Sequence, residues 1–66
     1  MDKAEAIQQM KLGKKLTHRY FSDDEWVTID KHGQILLEDG VTCSQYEFWN
    51  HRKQDWWNDG WSLFDN

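Results

Sequence analysis

The fold is decided by residues 25–43, EWVTIDKHGQILLEDGVTC, in which short apolar runs alternate with turn signals. Three runs have the β-branched or aliphatic composition of strands, and they cover residues 25–30, 34–38 and 41–43. Gly33 provides the positive φ that a tight hairpin turn requires, and Asp39–Gly40 marks the second turn. The sequence therefore predicts an antiparallel meander in the middle of the chain.

A helix and one more strand are predicted before the meander. Asp2 stands three residues before Glu5, which is the spacing of a capping box. This spacing predicts a helix over residues 3–12 that ends at Gly13. Residues 15–21 alternate in character along the chain and predict a strand that runs into the meander.

The region after the meander predicts a second helix and a closing strand. Ser44 and Glu47 form another capping box, so a helix should begin at Gln45 and end by about Gln54. The next six residues, DWWNDG, predict an aromatic-rich loop. Residues 61–64 then predict the last strand, because their side chains alternate between two faces.

These elements together predict one α+β domain over residues 1–66. The predicted order is α–β–β–β–(β)–α–β, with two helices packed on a small, curved antiparallel sheet of three to five strands. The predicted core consists of the apolar members of each pattern: Ile7, Met10, Val27, Ile29, Leu37, Trp49 and Trp61.

Composition excludes several classes of protein. The formal net charge is −4, with 12 acidic and 8 basic residues, which argues against general nucleic-acid binding. Cys43 is the single cysteine, so no internal disulfide forms and a reducing, cytoplasmic location is expected. No apolar run approaches the roughly 20 residues of a membrane span, so no membrane association is expected.

The titratable residues form no recognisable catalytic or metal site. The three histidines and Cys43 lack the paired spacing of a zinc site, and the four glycines stand apart rather than in a phosphate-binding loop. The acids at residues 23–25 fall at a predicted turn, where solvated carboxylates are common. We therefore expect no metal, no cofactor and no enzymatic activity.

Two features favour a binding role. Arg19 and Tyr20 lie side by side on the predicted first strand, where a guanidinium can bind a phosphate or carboxylate with two parallel hydrogen bonds. Arg52 or the Lys14–Lys15 pair would supply the further positive charge of such a site, and an ion pair between Arg19 and a neighbouring acid is the alternative. The adjacent Trp56 and Trp57 cannot easily both be buried, so one should reach a surface or a second copy in a homo-oligomer; plain loop packing is the alternative.

The two ends of the chain carry a family resemblance. Residues 6–15 read AIQQMKLGKK, and residues 59–64 read DGWSLF. The first resembles the Ala-x-x-x-Met/Leu-x-x-Gly-Lys-Lys helix–strand junction of the second-type Thoeris anti-defence family, and the second is similar to that family's acidic–Trp closing strand. The family consists of small sheet-rich proteins that sequester nucleotide-derived immune signals. The resemblance implies phage or prophage origin.

Two functions remain open at this point. The first is a non-catalytic binding protein of phage type, acting in the bacterial cytoplasm, that sequesters a small anionic ligand or blocks a host protein. The second is an acidic protein-interaction module, including a DNA mimic, without a small-molecule ligand. A ligand binder needs cations that converge on a pocket, whereas an acidic module needs a continuous carboxylate face.

Overall fold

The first helix begins at the predicted capping box. In the computed structural model, which describes residues 1–64, α1 spans Lys3–Lys11. The Asp2 carboxylate accepts a hydrogen bond from the Glu5 backbone N–H at 2.8 Å, and the Glu5 carboxylate accepts one from the Asp2 N–H. These two bonds satisfy N–H groups that a helix otherwise leaves free in its first turn.

Five short strands form one antiparallel sheet in the order β4-β3-β2-β1-β5. Their bounds are Leu16–His18 (β1), Val27–Ile29 (β2), Ile35–Leu37 (β3), Thr42–Cys43 (β4) and Trp61–Leu63 (β5). The second helix, α2, spans Gln45–Asn50 and lies between β4 and β5 in the chain. This architecture confirms the predicted α+β class, with the order α–β–β–β–β–α–β.

Two elements end several residues before the positions that the sequence predicts. The first strand ends at His18, because the Phe21 N–H bonds to the His18 carbonyl at 2.9 Å and turns the chain. The second helix ends at Asn50 rather than near Gln54, and the Arg52 N–H bonds to the Trp49 carbonyl in a tight turn. The predicted loop before β5 contains a 3₁₀ helix over Asp55–Asn58.

The core lies between the sheet and α1, with one side chain from α2. Its fully buried apolar residues are Ala6, Met10, Leu16, Val27, Ile29, Ile35, Phe48 and Trp61. Ile7, Leu37 and Trp49, which the sequence placed in the core, are only partly buried against it. Phe48 and Trp49 are adjacent on one helical turn and point about 100° apart, so only one of them can face the core centre. The structure places Phe48 there.

The central strand β2 is buried on both faces. Val27 and Ile29 share one face, and Thr28 on the other face is also buried. The Thr28 hydroxyl donates to the Lys14 carbonyl at 2.7 Å, just beyond the end of α1. That bond satisfies a buried hydroxyl and a carbonyl near the helix end, so Thr28 joins the end of α1 to the sheet.

Candidate functional site

A buried histidine organises the end of β1. His18 is only 3% exposed, and its Nδ1 accepts a hydrogen bond from the Tyr20 backbone N–H at 3.1 Å. Because Nδ1 acts as an acceptor, the ring proton is assigned to Nε2. Nε2 lies 2.7 Å from the Asp59 carbonyl oxygen and 3.0 Å from the Trp56 carbonyl oxygen. One imidazole thus joins the turn after β1 to the 3₁₀ helix.

Aromatic rings surround this imidazole. Ring centroids lie 4.4 Å away at Trp57, 4.8 Å at Trp61, 5.5 Å at Tyr20 and 6.0 Å at Phe21. The Trp61 indole N–H donates to the Trp57 carbonyl at 2.8 Å, so the 3₁₀ helix is bonded to β5 as well as to His18. Packed rings and hydrogen bonds therefore hold this corner of the molecule in a single arrangement.

Two rings of this corner face solvent. Tyr20 is 62% exposed and Trp56 is 50% exposed, and their centroids lie 6.1 Å apart with the ring planes at 84°. Together they line a shallow groove of about 320 Å³. His18 bonds to the backbone of both residues, so it positions the two exposed rings relative to each other. We refer to these two residues as the Tyr20–Trp56 pair.

The two adjacent tryptophans differ in exposure, as their adjacency predicts. Trp56 is exposed, whereas Trp57 is partly buried and packs against the core. The ring of Trp57 also lies 6.1 Å from Tyr20 and 5.4 Å from the Arg52 guanidinium carbon. Trp57 is therefore the link between the exposed pair and α2.

Arg19 is exposed and lies across Gly60. Its backbone N–H donates to the Gly60 carbonyl at 3.1 Å, and its guanidinium lies directly over the glycine. Within residues 1–64 the Arg19 side chain forms no ion pair, so the predicted alternative of pairing with a neighbouring acid is not seen there. The guanidinium lines a groove that also contains Asp23 and Ser22.

Arg52 has a different environment. Its guanidinium carbon lies 4.0 Å from the centre of the Phe48 ring, and Nη1 donates to the Phe48 carbonyl at 3.2 Å. Burial lowers the pKa of Arg52 from its ordinary value, against the smaller opposing effects of Cys43 and Glu25. Arg52 thus packs between α2 and Trp57, and it does not converge with Arg19 on a shared pocket.

Replacing Gly60 by Ala tests the close approach of Arg19. Gly60 and Gly33 both have positive φ, +88° and +79°, so Ala costs about 1 kcal/mol at either position. A Cβ on Gly60 would also lie 3.0 Å from Arg19 Cζ, whereas one on Gly33 meets nothing within 4 Å. The guanidinium is the end of an exposed, flexible side chain that can move aside, so we expect Gly60→Ala to lower the unfolding free energy by only about 0.5 kcal/mol more than Gly33→Ala in urea denaturation.

The control for this comparison is a double-mutant cycle with Arg19→Ala. Removing the guanidinium should make Gly60→Ala as mild as Gly33→Ala, because only the shared backbone strain remains. Equal losses for the two glycine variants in the parent protein would contradict the contact.

Cys43 lies half-buried in β4 and is expected to react slowly. Burial raises the pKa of the Cys43 thiol and the Glu47 carboxylate raises it further, while Arg52 opposes both effects. A raised pKa lowers the thiolate fraction at a given pH, and the thiolate is the nucleophile. Alkylation by iodoacetamide at pH 8 should therefore be slower in the folded protein than in urea, and Glu47→Gln should accelerate it. Equal rates in the folded and unfolded protein would contradict this expectation.

Comparison with models of known protein families, with curated proteins and with solved structures finds no match to this chain. Among the described residues 1–64, no three His, Cys, Asp or Glu side chains are grouped as metal ligands. No helix in that part of the chain is long and apolar enough to cross a membrane.

Sequence reasoning named four of the residues that meet at this corner: Arg19, Tyr20, Trp56 and Trp57. It did not assign a role to His18, although alternation placed His18 on the same face as Leu16, which is buried. That shared face is the signal that could have identified the histidine as an interior group. The geometry places two exposed aromatic rings side by side at this corner.

Proposed function

We propose that this chain is a non-catalytic binding protein that docks onto another protein through the Tyr20–Trp56 pair. The observation that carries the proposal is that both rings are half-exposed or more while their backbones are held by one buried histidine. Tyr and Trp are the side chains that most often dominate binding energy at interfaces. A ring that is fixed before binding loses little conformational entropy when a partner covers it.

The charge around the pair supports a partner with a basic rim. Neighbouring strands of an antiparallel sheet run in opposite directions. One end of this sheet therefore contains the end of β1, the start of β2, the end of β3 and the start of β5. The acidic residues next to these strand ends are Asp23, Asp24, Glu25, Glu38, Asp39 and Asp59, and they outnumber the basic residue in the same place, Arg19. Opposite charge at the rim of an interface accelerates association and selects against acidic partners.

The resemblance of the chain ends to the Thoeris anti-defence family supports a more specific form of this proposal. A phage or prophage protein acting in the bacterial cytoplasm would use the pair to block a host protein. The acidic surface also supports the related proposal of a DNA mimic, since nucleic-acid-binding proteins present basic patches.

Selection from a library of random dodecapeptides displayed on phage tests the docking proposal. We expect the selected peptides to combine Lys or Arg with aromatic or large aliphatic residues, because these complement the acids and the two rings. Trp56→Ser should abolish their capture. Tyr46→Ser is the matched control, because Tyr46 is 77% exposed on α2 and lies outside the pair. Equal capture by Trp56→Ser and Tyr46→Ser would reject the pair as the site.

A second copy of this chain is the other partner that the sequence suggests for the pair. The monomer has a mass of 8.0 kDa, so a dimer would have twice that mass. Light scattering that gives the dimer mass for the parent protein and the monomer mass for Trp56→Ser would assign the pair to self-association. The monomer mass for both would leave the pair available to a different protein.

A small anionic ligand at Arg19 is the second candidate function. The observation that favours it is an exposed guanidinium without an ion pair in residues 1–64, at the edge of a groove of about 320 Å³. Arg19→Ala should then weaken the binding of a nucleotide about ten- to a hundredfold in calorimetry, with little change in melting temperature. The absence of any nucleotide binding by the parent protein would reject this candidate.

A further inference from the structure

A third groove lies between the start of α1 and the exposed face of α2. It has a volume of about 350 Å³ and shares no residue with the Tyr20–Trp56 pair. Its lining residues are Lys3, Gln45, Tyr46, Trp49, Asn50 and Lys53. Two of these are cations and none is a carboxylate, although the chain as a whole carries a formal charge of −4. The lining of the groove is therefore positively charged, whereas the protein as a whole is negatively charged.

The two lysines are available to an anion. The Lys3 Nζ lies 4.4 Å from the centre of the Trp49 ring, so the indole holds one ammonium at the groove wall. Within residues 1–64, neither Lys3 nor Lys53 forms an ion pair with a carboxylate. Two ammonium groups that line one groove, with no carboxylate among the described lining residues, attract a negatively charged group from solution.

The Trp49 indole carries a buried N–H group that is not used in the fold of residues 1–64. Its Nε1 is buried and has no hydrogen-bond partner among the described residues, whereas the Nε1 of Trp61 donates to the Trp57 carbonyl. A buried donor without a partner lowers stability, and such features concentrate at functional sites. Tyr46, on the same groove, is 77% exposed, which places a second aromatic face beside the indole.

We infer that this groove binds a planar aromatic anion, meaning an aromatic ring that carries a phosphate or a carboxylate. The ring packs on Tyr46 and on the exposed part of Trp49 that Lys3 does not cover, and the acidic group lies between the ammonium groups of Lys3 and Lys53. Gln45 contributes a wall that is held in place, because its amide Nε2 donates to the Gly33 carbonyl at 2.8 Å.

Calorimetric titration with 1-naphthyl phosphate tests this inference. We expect saturable binding that is at least about tenfold tighter than that of 1-naphthol or of inorganic phosphate, because each of these lacks one of the two contacts. Lys3→Gln and Lys53→Gln should each weaken it about tenfold. The indole N–H resonance of Trp49, assigned with Trp49→Phe, should shift on titration.

Two variants serve as controls. Lys31→Gln removes an exposed lysine from the turn between β2 and β3, and Trp56→Ser alters the other aromatic surface; both should leave the affinity unchanged. Melting curves of Lys3→Gln and Lys53→Gln verify that each variant is folded. Equal affinity for 1-naphthol, equal weakening by Lys31→Gln, or no binding of 1-naphthyl phosphate would overturn the inference. None of these results bears on the Tyr20–Trp56 pair, so the two proposals fail separately.

Discussion

Trp61→Ala is expected to unfold the domain at room temperature. Trp61 is 2% exposed, and its ring lies within about 6 Å of His18, Phe21, Trp49 and Trp57, with centroid distances of 4.8, 5.7, 5.5 and 6.2 Å. Truncating a buried tryptophan costs about 3–5 kcal/mol. Domains are stable by about 0.05–0.15 kcal/mol per residue, so a chain of 66 residues has about 3–10 kcal/mol to lose, and this loss removes a third of that stability or more.

Circular dichroism during heating measures this effect. The parent protein should melt cooperatively, and Trp61→Ala should show no cooperative transition. Trp56→Ala is the matched control, because it removes the same side chain from a half-exposed position and should cost less than about 1 kcal/mol. A Trp61→Ala variant that melts within a few degrees of the parent would show that the packing around β5 is not what stabilises the sheet.

His18→Ala is expected to have the second-largest effect, a loss of about 2–4 kcal/mol. The substitution leaves a cavity among four aromatic rings and removes the hydrogen-bond partner of the Tyr20 N–H and of the Trp56 and Asp59 carbonyls. It should also release the Tyr20–Trp56 pair from its fixed arrangement. The aromatic signal in near-ultraviolet circular dichroism should therefore decrease even under conditions where the variant remains folded.

Two conservative variants separate the acceptor function of His18 Nδ1 from the donor function of His18 Nε2. His18→Asn retains an acceptor near the position of Nδ1, and His18→Gln retains a donor near the position of Nε2. Each should lie between the parent and His18→Ala in unfolding free energy. Equal stability of His18→Ala and the parent in urea denaturation would show that the imidazole bonds are not needed for this corner.

Most of the fold follows from local signals. The capping box at Asp2 and the N-cap at Ser44 locate the starts of both helices, and turn glycines such as Gly33 separate the strands. These signals are short in sequence range, so one chain is enough to read them. The ends of β1 and α2 were predicted too late, because a strand or helix also ends where a tertiary contact offers its backbone a different partner.

The candidate site was only partly predictable for the same reason. Adjacency showed that one of Trp56 and Trp57 must be exposed, but the choice depends on which ring packs beside His18, a contact over about 40 residues of chain. Alternation grouped Arg19 with a strand face, yet the strand ends before it. The choice of Phe48 over Trp49 for the core likewise depends on how α2 rotates against the sheet, which no local pattern specifies.

The imidazole of His18 bonds to the backbones of both exposed aromatic residues and so holds the two ends of the Tyr20–Trp56 pair together. The most direct test is the long-range ¹H–¹⁵N spectrum of the imidazole rings at alkaline pH, with the exposed His32 and His51 as internal references. From its hydrogen bonds we expect His18 to be a single tautomer, with an unprotonated Nδ1 and a protonated Nε2. A His18 ring with its proton on Nδ1, or with the mixture of tautomers shown by the two exposed histidines, would contradict it.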